Sequence, residues 1–283
     1  MTSTAKSDPP PLDGVVATFL AAVRAARPAH VGRPLALGLC GSQGSGKSTL
    51  SAKVADALAA EGLSCAILAL DDLYLPRAAR EDLARIHPLL RTRGVPGTHD
   101  VALGLEILAG LGRPGRVAMP RFDKARDDRR PRGEWDAVEA PVDVVVFEGW
   151  CVGARPQALG ELAAPVNALE RECDPDGVWR RWANAELAGR YQDLFARVDL
   201  LAFLAAPDFS VVAGWRREQE DALRQRLSRE GRDASTTLDD PAVDRFVQHY
   251  QRLTEHMLRE MPARADIVVR LDPRRVVLET QVR

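Results

Sequence analysis

The sequence predicts an α/β fold in which a mainly parallel sheet lies between two layers of helices. Two observations support this prediction. Short apolar runs bounded by turn residues recur along the chain, and such runs are typical of strands that are buried on both faces. Longer segments with helical periodicity separate these runs, so strands and helices alternate from one end of the chain to the other.

The apolar runs define the predicted strands. The first is bounded by turn residues and leads into a glycine-rich turn, the second stops at two aspartates, and the third stops at a Glu-Gly pair. The fourth ends at a Pro-Asp pair, and the last apolar run is followed by a segment that we interpret as an edge strand. In order, the predicted strands are Leu35–Cys40, Cys65–Leu70, Val142–Phe147, Leu200–Ala205, Ile267–Leu271 and the edge strand Val276–Val282.

The predicted helices follow from apolar periodicity and from residues that start or stop a helix. Pro28 follows the first helix, Gly62 follows the second, and Pro241 occupies the first turn of the last, where proline is favoured. No linker or repeat divides the chain, so we expect a disordered lead-in at 1–12 and a single domain at 13–283. The helices are predicted at Val15–Ala26, Lys47–Ala60, Val101–Ala109, Val178–Arg197, Val211–Glu230 and Pro241–Glu260.

Composition excludes several classes of function. The net charge of −1 provides no basic field to hold nucleic acid or anionic lipid. No apolar run is long enough to cross a membrane, and the N-terminus lacks a signal-peptide pattern. The four cysteines are far apart, without metal-ligand spacing. We therefore expect a cytoplasmic protein without nucleic-acid or membrane partners.

Residues 41–48 read GSQGSGKS and match the pattern G-x-x-x-x-G-K-[ST] at every fixed position. The glycines let successive backbone N–H groups turn toward a phosphate, and the N-terminus of the following helix adds partial positive charge. Lys47 is then expected to reach the β- and γ-phosphates of ATP, and the Ser48 hydroxyl to bind Mg²⁺. The alternative is a glycine-rich turn without a nucleotide. The predicted nucleotide-binding residues are Gly41, Ser42, Gln43, Gly44, Ser45, Gly46, Lys47, Ser48 and Thr49.

Three carboxylates follow predicted strands. Asp71 and Asp72 come after the second strand, and Glu148 comes after the third. Ligands of open parallel sheets bind at the carboxyl ends of the strands, so these groups are expected beside the phosphate-binding turn. One carboxylate can accept the proton of an acceptor hydroxyl, and another can hold Mg²⁺. Any one of them taken alone would be interpreted as an ordinary loop carboxylate, and it is their combination with the phosphate-binding turn on the same edge that favours phosphoryl transfer.

Several strings in the chain resemble those of a known family. The phosphate-binding turn, LDDLYL (70–75) and VVVFEGW (144–150) are similar to the phosphoribulokinase/uridine kinase/pantothenate kinase group of P-loop kinases. Within that group the chain resembles the plant-type D-glycerate 3-kinases and their bacterial and fungal relatives. The strings that carry this narrower resemblance are HPLLRTRGVPGTHD (87–100), PRFDKARDDRRP (120–131), EGWCVGARP (148–156), YQDLF (191–195), APDFSVVAGWRREQE (206–220) and HYQRLTEHML (249–258).

The resemblance implies a three-layer P-loop NTPase fold with an acceptor-site insertion at about 73–141 and a lid at about 207–232. It implies phosphorylation of D-glycerate by ATP, with Asp71 as the base and Asp72 as the less favoured candidate. Glu148 matches the acid that holds Mg²⁺ together with Ser48. Arg216 and Arg217 match a lid helix that places a guanidinium against the transferred phosphoryl group. Their alternative role is a solvated helix face paired with nearby glutamates.

A carboxylate substrate needs cationic or N–H donors. Two loops supply candidate residues for binding the carboxylate: the loop that includes Arg91 and Arg93, and the charged segment at 121–132. We favour a role for at least one of Arg91 and Arg93 without choosing between them. Lys124 is one of only four lysines in the chain, and the string around it is similar to an acceptor-site element of the wider group. The alternative is that both loops are merely solvated. The expected substrate-binding residues are Asp72, Tyr74, Arg91, Arg93, Thr98, His99 and Lys124.

Two rival functions remain at this point. A nucleoside or pantothenate kinase would share the same phosphate-binding machinery, although the middle of the chain offers few aromatic residues for stacking a base. A regulatory nucleotide-binding switch would hydrolyse ATP at a rate independent of small acids. A switch specific for GTP would usually carry an [NT]-K-x-D string, which this sequence lacks.

Overall fold

The structure, a computed structural model, describes residues 12–30, 32–231 and 237–283. Its centre is a six-stranded sheet with the strand order β10-β9-β8-β1-β7-β2, and every neighbouring pair is parallel except β10 with β9. In chain order the strands of the described residues are β1 (Leu35–Gly41), β2 (Cys65–Ala69), β3 (Gly115–Met119), β4 (Phe122–Asp123), β5 (Asp128–Arg129), β6 (Asp136–Ala140), β7 (Val144–Gly149), β8 (Leu200–Ala205), β9 (Ile267–Leu271) and β10 (Val277–Val282).

Helices cover both faces of this sheet. On one face Phe19 and Val54 pack with Leu37, and on the other Ile107 and Phe195 join a second buried cluster. The prediction of a mainly parallel sheet between two helical layers is therefore confirmed. The helices are α1 (Leu12–Ala26), α2 (Lys47–Ala60), α3 (Arg77–Leu83), α4 (Val101–Gly110), α5 (Ala168–Cys173), α6 (Val178–Ala188), α7 (Arg190–Phe195), α8 (Ser210–Arg229) and α9 (Asp240–Glu260).

Two predicted elements are wrong in detail. The single helix predicted at Val178–Arg197 is two helices, α6 and α7, because the backbone of Gly189 leaves the helical region at φ −92° and ψ −123°. The strand predicted to end at Leu70 ends at Ala69, and a short 3₁₀ turn covers Leu70–Leu73. That turn buries its two leucines and carries Asp71 and Asp72 between them.

The region at 73–141 contains more regular structure than the sequence predicts. Besides the expected helix α4, it includes α3 and two antiparallel pairs, β3 with β6 and β4 with β5. The strands of these pairs are short and mostly exposed or half-buried, so they lack the apolar run that reveals a buried strand. The acceptor-site role of this region and the lid role of 207–232 stay predictions.

The lead-in predicted at 1–12 lies outside the described residues except for Leu12, where α1 begins. Within the part of the chain that the structure describes, no helix combines the length and the apolar composition that a membrane span requires.

Candidate active site

Sheet order explains how residues that are distant in sequence meet in one cleft. The cleft is lined by Gln43, Lys47, Ser48, Asp71, Tyr74, Arg93, Lys124, Glu148, Trp150, Arg216, Gln219, Phe246 and Tyr250. Strand β7 lies between β1 and β2, and Glu148 at its end is in register with Leu39 on one side and Ala69 on the other. The phosphate-binding turn follows β1 and the 3₁₀ turn with Asp71 follows β2. Because all three strands are parallel, their carboxyl ends bring the turn, Glu148 and Asp71 to the same edge.

The phosphate-binding turn has the backbone shape that its glycines require. Gly44 and Gly46 have φ values of +76° and +92°, a region that other residues rarely adopt. A Cβ on Gly44 would also lie 2.5 Å from the Cβ of Trp215, so a larger residue would push the turn off α8. The sequence at these positions therefore fixes a loop that opens toward the cleft.

Helix α2 begins at Lys47, directly after this turn, and no side chain caps its first turn. The N–H groups of its first turn therefore have no partner within the helix, which favours an anion at this end. Lys47 Nζ donates to the carbonyl oxygen of Ser42 at 3.1 Å and lies across the turn. The hydroxyls of Ser42 and Ser45 are buried without a hydrogen-bond partner among the described residues. Thr49 is exposed in the first turn of α2.

Ser48 and Glu148 place two oxygen atoms side by side. Ser48 Oγ donates to Glu148 Oε1 at 2.7 Å, and both side chains line the cleft. Mg²⁺ prefers oxygen ligands and usually completes its coordination with water and substrate phosphates. The described residues contain no group of three or more His, Cys, Asp or Glu side chains placed to hold a metal ion. The pair therefore fits a magnesium ion that is held largely by a bound nucleotide.

The two neighbouring aspartates have different surroundings. Asp71 faces the cleft, where one of its oxygens accepts from Tyr74 Oη at 3.0 Å and the other from Lys124 Nζ at 2.6 Å. Asp72 points away and accepts from the backbone N–H of Phe122 at 2.9 Å and from Arg121 at 3.3 Å. The hydrogen bonds of Asp72 thus hold the β4–β5 hairpin in place. Of the two aspartates, Asp71 is the one that a ligand in the cleft could contact.

The pKa values of these carboxyl groups shift in opposite directions. Burial by itself would raise the pKa of Asp71, but the charges of Lys124 and Lys47 and the Tyr74 hydroxyl hold it well below its usual range. Burial raises the pKa of Asp72, although the Phe122 N–H and Arg121 partly oppose this effect. Asp71 is therefore a carboxylate held ionised by its neighbours.

Three cations besides Lys47 line the cleft. Arg93 is ion-paired with Asp127, and its guanidinium lies 5.4 Å from the ring centre of Phe122. Arg216 is ion-paired with Glu220, and it is only 7% exposed. Lys124 completes the set. The cleft therefore presents more positive than negative charge, which suits anionic ligands.

Outside the phosphate-binding turn and the first turn of α2, five predicted residues do not line the cleft: Asp72, described above, and Arg91, Arg217, Thr98 and His99. Arg91 ends a 3₁₀ turn, where its side chain is 62% exposed and pairs with Glu81. Arg217 pairs with Asp244 of α9, a partner on another helix that differs from the nearby glutamates of the alternative interpretation. Thr98 is fully buried and donates to the carbonyl of Val95 at 2.7 Å, stabilising its own loop.

His99 lies behind Tyr74, and their rings stack at 4.6 Å. Its Nδ1 is 2.6 Å from the hydroxyl of Tyr191, and burial lowers its pKa to about 3. A neutral, enclosed imidazole cannot supply a positive charge to a bound carboxylate. The position of His99 indicates that it supports Tyr74, which does line the cleft.

Sequence reasoning missed four side chains that line the cleft. They are Trp150, Gln219, Phe246 and Tyr250. Tyr250 donates to the carbonyl of Arg93 at 3.0 Å, and Trp150 donates to the carbonyl of Gly94 at 2.9 Å, so both fix the loop that carries Arg93. Three of the four lie in strings that carry the family resemblance, which is the signal that could have found them.

Comparison with known proteins agrees with this geometry. The profile of the methylmalonyl Co-A mutase-associated GTPase MeaB matches residues 18–75, which span the phosphate-binding turn. The uncharacterized kinase mug58 of Schizosaccharomyces pombe is 34% identical over 234 residues, which are 79% of this chain and 81% of that protein.

Two proteins named as D-glycerate 3-kinases are also similar. The chloroplastic enzyme of Arabidopsis thaliana is 29% identical over 228 residues; these cover 77% of this chain but only 46% of the plant protein, so the chain matches less than half of its length. The structure of the enzyme from Cryptococcus neoformans var. grubii superposes with a TM-score of 0.77 at 25% identity and covers 96% of this chain and 99% of that one. The chain is therefore a kinase and belongs to the glycerate kinase-like family of P-loop kinases.

Proposed function

We propose that this kinase transfers the γ-phosphoryl group of ATP to the 3-hydroxyl of D-glycerate. The observation that carries the proposal is the position of Asp71, a cleft-facing carboxylate beside the phosphate-binding turn and surrounded by cations. A hydroxyl that donates to Asp71 lies at the edge of the sheet where the turn would hold the γ-phosphate. The names of the plant and fungal relatives support glycerate as the acceptor.

Different residues of the cleft would have different roles in an in-line transfer of the phosphoryl group. The N–H groups of the turn and Lys47 would bind the β- and γ-phosphates, and Ser48 with Glu148 would hold Mg²⁺, which neutralises phosphate charge when bound. Asp71 would orient the acceptor hydroxyl and take its proton as the new O–P bond forms. Arg216 would stabilise the charge on the equatorial oxygens of the transferred group.

Arg93 is the cation best placed for the acceptor's carboxylate. It is 14% exposed, its partner Asp127 is also held by Arg80, and the ring of Phe122 packs against it. A guanidinium fixed in this way can bind a carboxylate with two parallel hydrogen bonds and loses little side-chain entropy. Tyr74, Trp150 and Tyr250 line the same cleft as Arg93, and the acceptor panel below compares a small acid with a nucleoside at this site.

The proposed function can be tested by measuring ADP release with ATP, Mg²⁺ and a panel of acceptors: D-glycerate, L-glycerate, glycerol, pantothenate and uridine. We expect release to depend on D-glycerate. The ³¹P NMR signal of the product should be a triplet, because phosphate on the 3-position couples to two protons, whereas the 2-phosphate gives a doublet. Release with uridine or pantothenate alone would reject the substrate, and release independent of any acceptor would indicate a nucleotide switch.

Arg93 and Arg91 form a matched pair for testing recognition of the carboxylate. Arg93→Met should lower kcat/KM for D-glycerate about 10- to 100-fold, since a hydrogen-bonded charge contributes roughly 1.5–3 kcal/mol. Arg91→Met removes the same group from the solvent-exposed side of the loop and should change kcat/KM less than about twofold, as surface ion pairs contribute little. Initial rates at varied D-glycerate measure both. Equal effects of the two substitutions would contradict the assignment.

A further inference from the structure

In the structure both oxygens of Asp71 already have donors. Tyr74 Oη donates a hydrogen bond to one oxygen at 3.0 Å, and Lys124 Nζ donates to the other at 2.6 Å. An acceptor hydroxyl must donate to one of these oxygens before it can lose its proton. The free enzyme therefore holds its base in an ion pair within the cleft that the acceptor must enter.

This ion pair weakens Asp71 as a base. Burial favours the protonated form, but Lys124, Lys47 and Tyr74 together keep the pKa of Asp71 well below its ordinary value. A carboxylate with such a low pKa has little tendency to take a proton from an alcohol or from water. The arrangement therefore suppresses phosphoryl transfer as long as the ammonium stays on Asp71.

Lys124 has the freedom to move away without disturbing the backbone. It lies in the turn between β4 and β5, where Asp123 Oδ1 accepts from the N–H groups of Ala125 at 3.0 Å and Arg126 at 3.2 Å and so fixes the turn. Its own side chain is 42% exposed. It also lines the groove next to the cleft, together with Arg216 and Gln219.

We propose that Lys124 makes the enzyme selective for anionic acceptors by releasing Asp71 only when a substrate carboxylate takes over its ammonium. This inference rests on the proposed function. An acid that enters with its carboxylate toward Arg93 and Lys124 gives the ammonium a new partner and leaves one oxygen of Asp71 open. A neutral alcohol or water has no negative charge that could replace Asp71 as the partner of the Lys124 ammonium. Lys124 therefore stays on Asp71, and the base stays blocked.

The chemical step then balances without any further reactant. The hydroxyl proton of the acceptor moves to the released oxygen of Asp71, and the hydroxyl oxygen forms a bond to the γ-phosphorus. The bond between the γ-phosphorus and the bridging oxygen breaks, and ADP leaves with that electron pair. Asp71 returns the proton to solvent after the product departs, and Lys124 pairs with it again.

The kinetic test compares D-glycerate, glycerol and water as acceptors for the wild type, Lys124→Met and Lys124→Arg. Lys124→Met should lower kcat/KM for D-glycerate about 10- to 100-fold, because a charged hydrogen bond to the substrate is lost. It should raise ATP hydrolysis and glycerol phosphorylation about tenfold, because Asp71 regains basicity. Lys124→Arg keeps the charge and should retain the preference for the acid. A Lys124→Met enzyme with an unchanged glycerate-to-glycerol ratio would overturn the proposal.

A direct readout uses the scarcity of lysine in this chain. With ¹³C-labelled lysine, the protein gives only four Cε signals, from Lys6, Lys47, Lys53 and Lys124. The signal that disappears in Lys124→Arg is assigned to Lys124. It should shift when D-glycerate is added and stay in place with glycerol at the same concentration. If the enzyme phosphorylates D-glycerate but the Lys124 signal does not shift when D-glycerate is added, the proposal is also overturned.

Failure of the proposed function is distinguishable from failure of this inference. If the wild type phosphorylates another hydroxy acid and not D-glycerate, the substrate proposal is rejected. The same three enzymes are then measured with that acid and with the neutral alcohol that has the same carbon skeleton. Loss of acid preference in Lys124→Met supports the inference there too, and an unchanged preference contradicts it.

Discussion

Asp71→Asn is expected to lower kcat about 10²- to 10⁴-fold, the usual contribution of a positioned general base. The amide oxygen can still accept from Tyr74, but it cannot take the proton of the acceptor hydroxyl. The fold should persist, because the lost pair with Lys124 is partly exposed and such pairs contribute at most about 1 kcal/mol. Steady-state rates and a thermal melt of the same preparation measure both effects.

Asp72→Asn is the matched control for this substitution. It removes one negative charge from the adjacent residue, but Asp72 binds the Phe122 N–H and Arg121 rather than facing the cleft. We expect kcat within about tenfold of the wild type and a loss of roughly 1–2 kcal/mol in unfolding free energy from the weakened hydrogen bonds. If Asp72→Asn abolished turnover while Asp71→Asn retained it, the roles of the two aspartates would be reversed.

Much of the fold was predictable because buried parallel strands leave a clear pattern. The six strands of the central sheet lie at or within about two residues of their predicted positions, since five of them are short apolar runs that end at a turn and β10 is the edge strand that follows the last run. The β4–β5 hairpin left no such pattern, because strands of two residues bury little apolar surface. Gly189 was also missed, since glycine occurs within helices as well as at breaks between them.

The site was predictable where chemistry is local in sequence and less so where it depends on packing. The phosphate-binding turn and Asp71 follow strand ends, and the sheet brings them together as expected. The sequence does not decide between Arg91 and Arg93, because two arginines two residues apart look alike until the direction of the loop is known. In the folded chain Tyr250 of α9 donates a hydrogen bond to the carbonyl of Arg93 and so fixes that direction. A contact between residues so far apart in sequence leaves no local signal.

Lys47→Met is expected to reduce kcat about 10³-fold or more, because a charge aimed at the transferred phosphates is lost from the transition state. The ammonium lies across the turn that precedes α2, where it lines the cleft with Ser48 and Glu148. Among the described residues, the ammonium of Lys47 donates one hydrogen bond, to the Ser42 carbonyl, so its removal should lower Tm by no more than about 4 °C. Single-turnover rates and calorimetric binding of a non-hydrolysable ATP analogue separate chemistry from affinity.

The control for this prediction lies on the same helix. Lys53 is 46% exposed, and its nearest charged partner is Asp13 at 3.7 Å, so Lys53→Met removes an ammonium of α2 without touching the cleft. We expect Lys53→Met to retain wild-type kcat within about twofold, since exposed ion pairs contribute little. Turnover that survived Lys47→Met would mean that the turn does not hold the transferred phosphates. The roles assigned to Asp71, Arg93 and Lys124 would then be contradicted as well, because all three assume that the transferred phosphoryl group lies beside this turn.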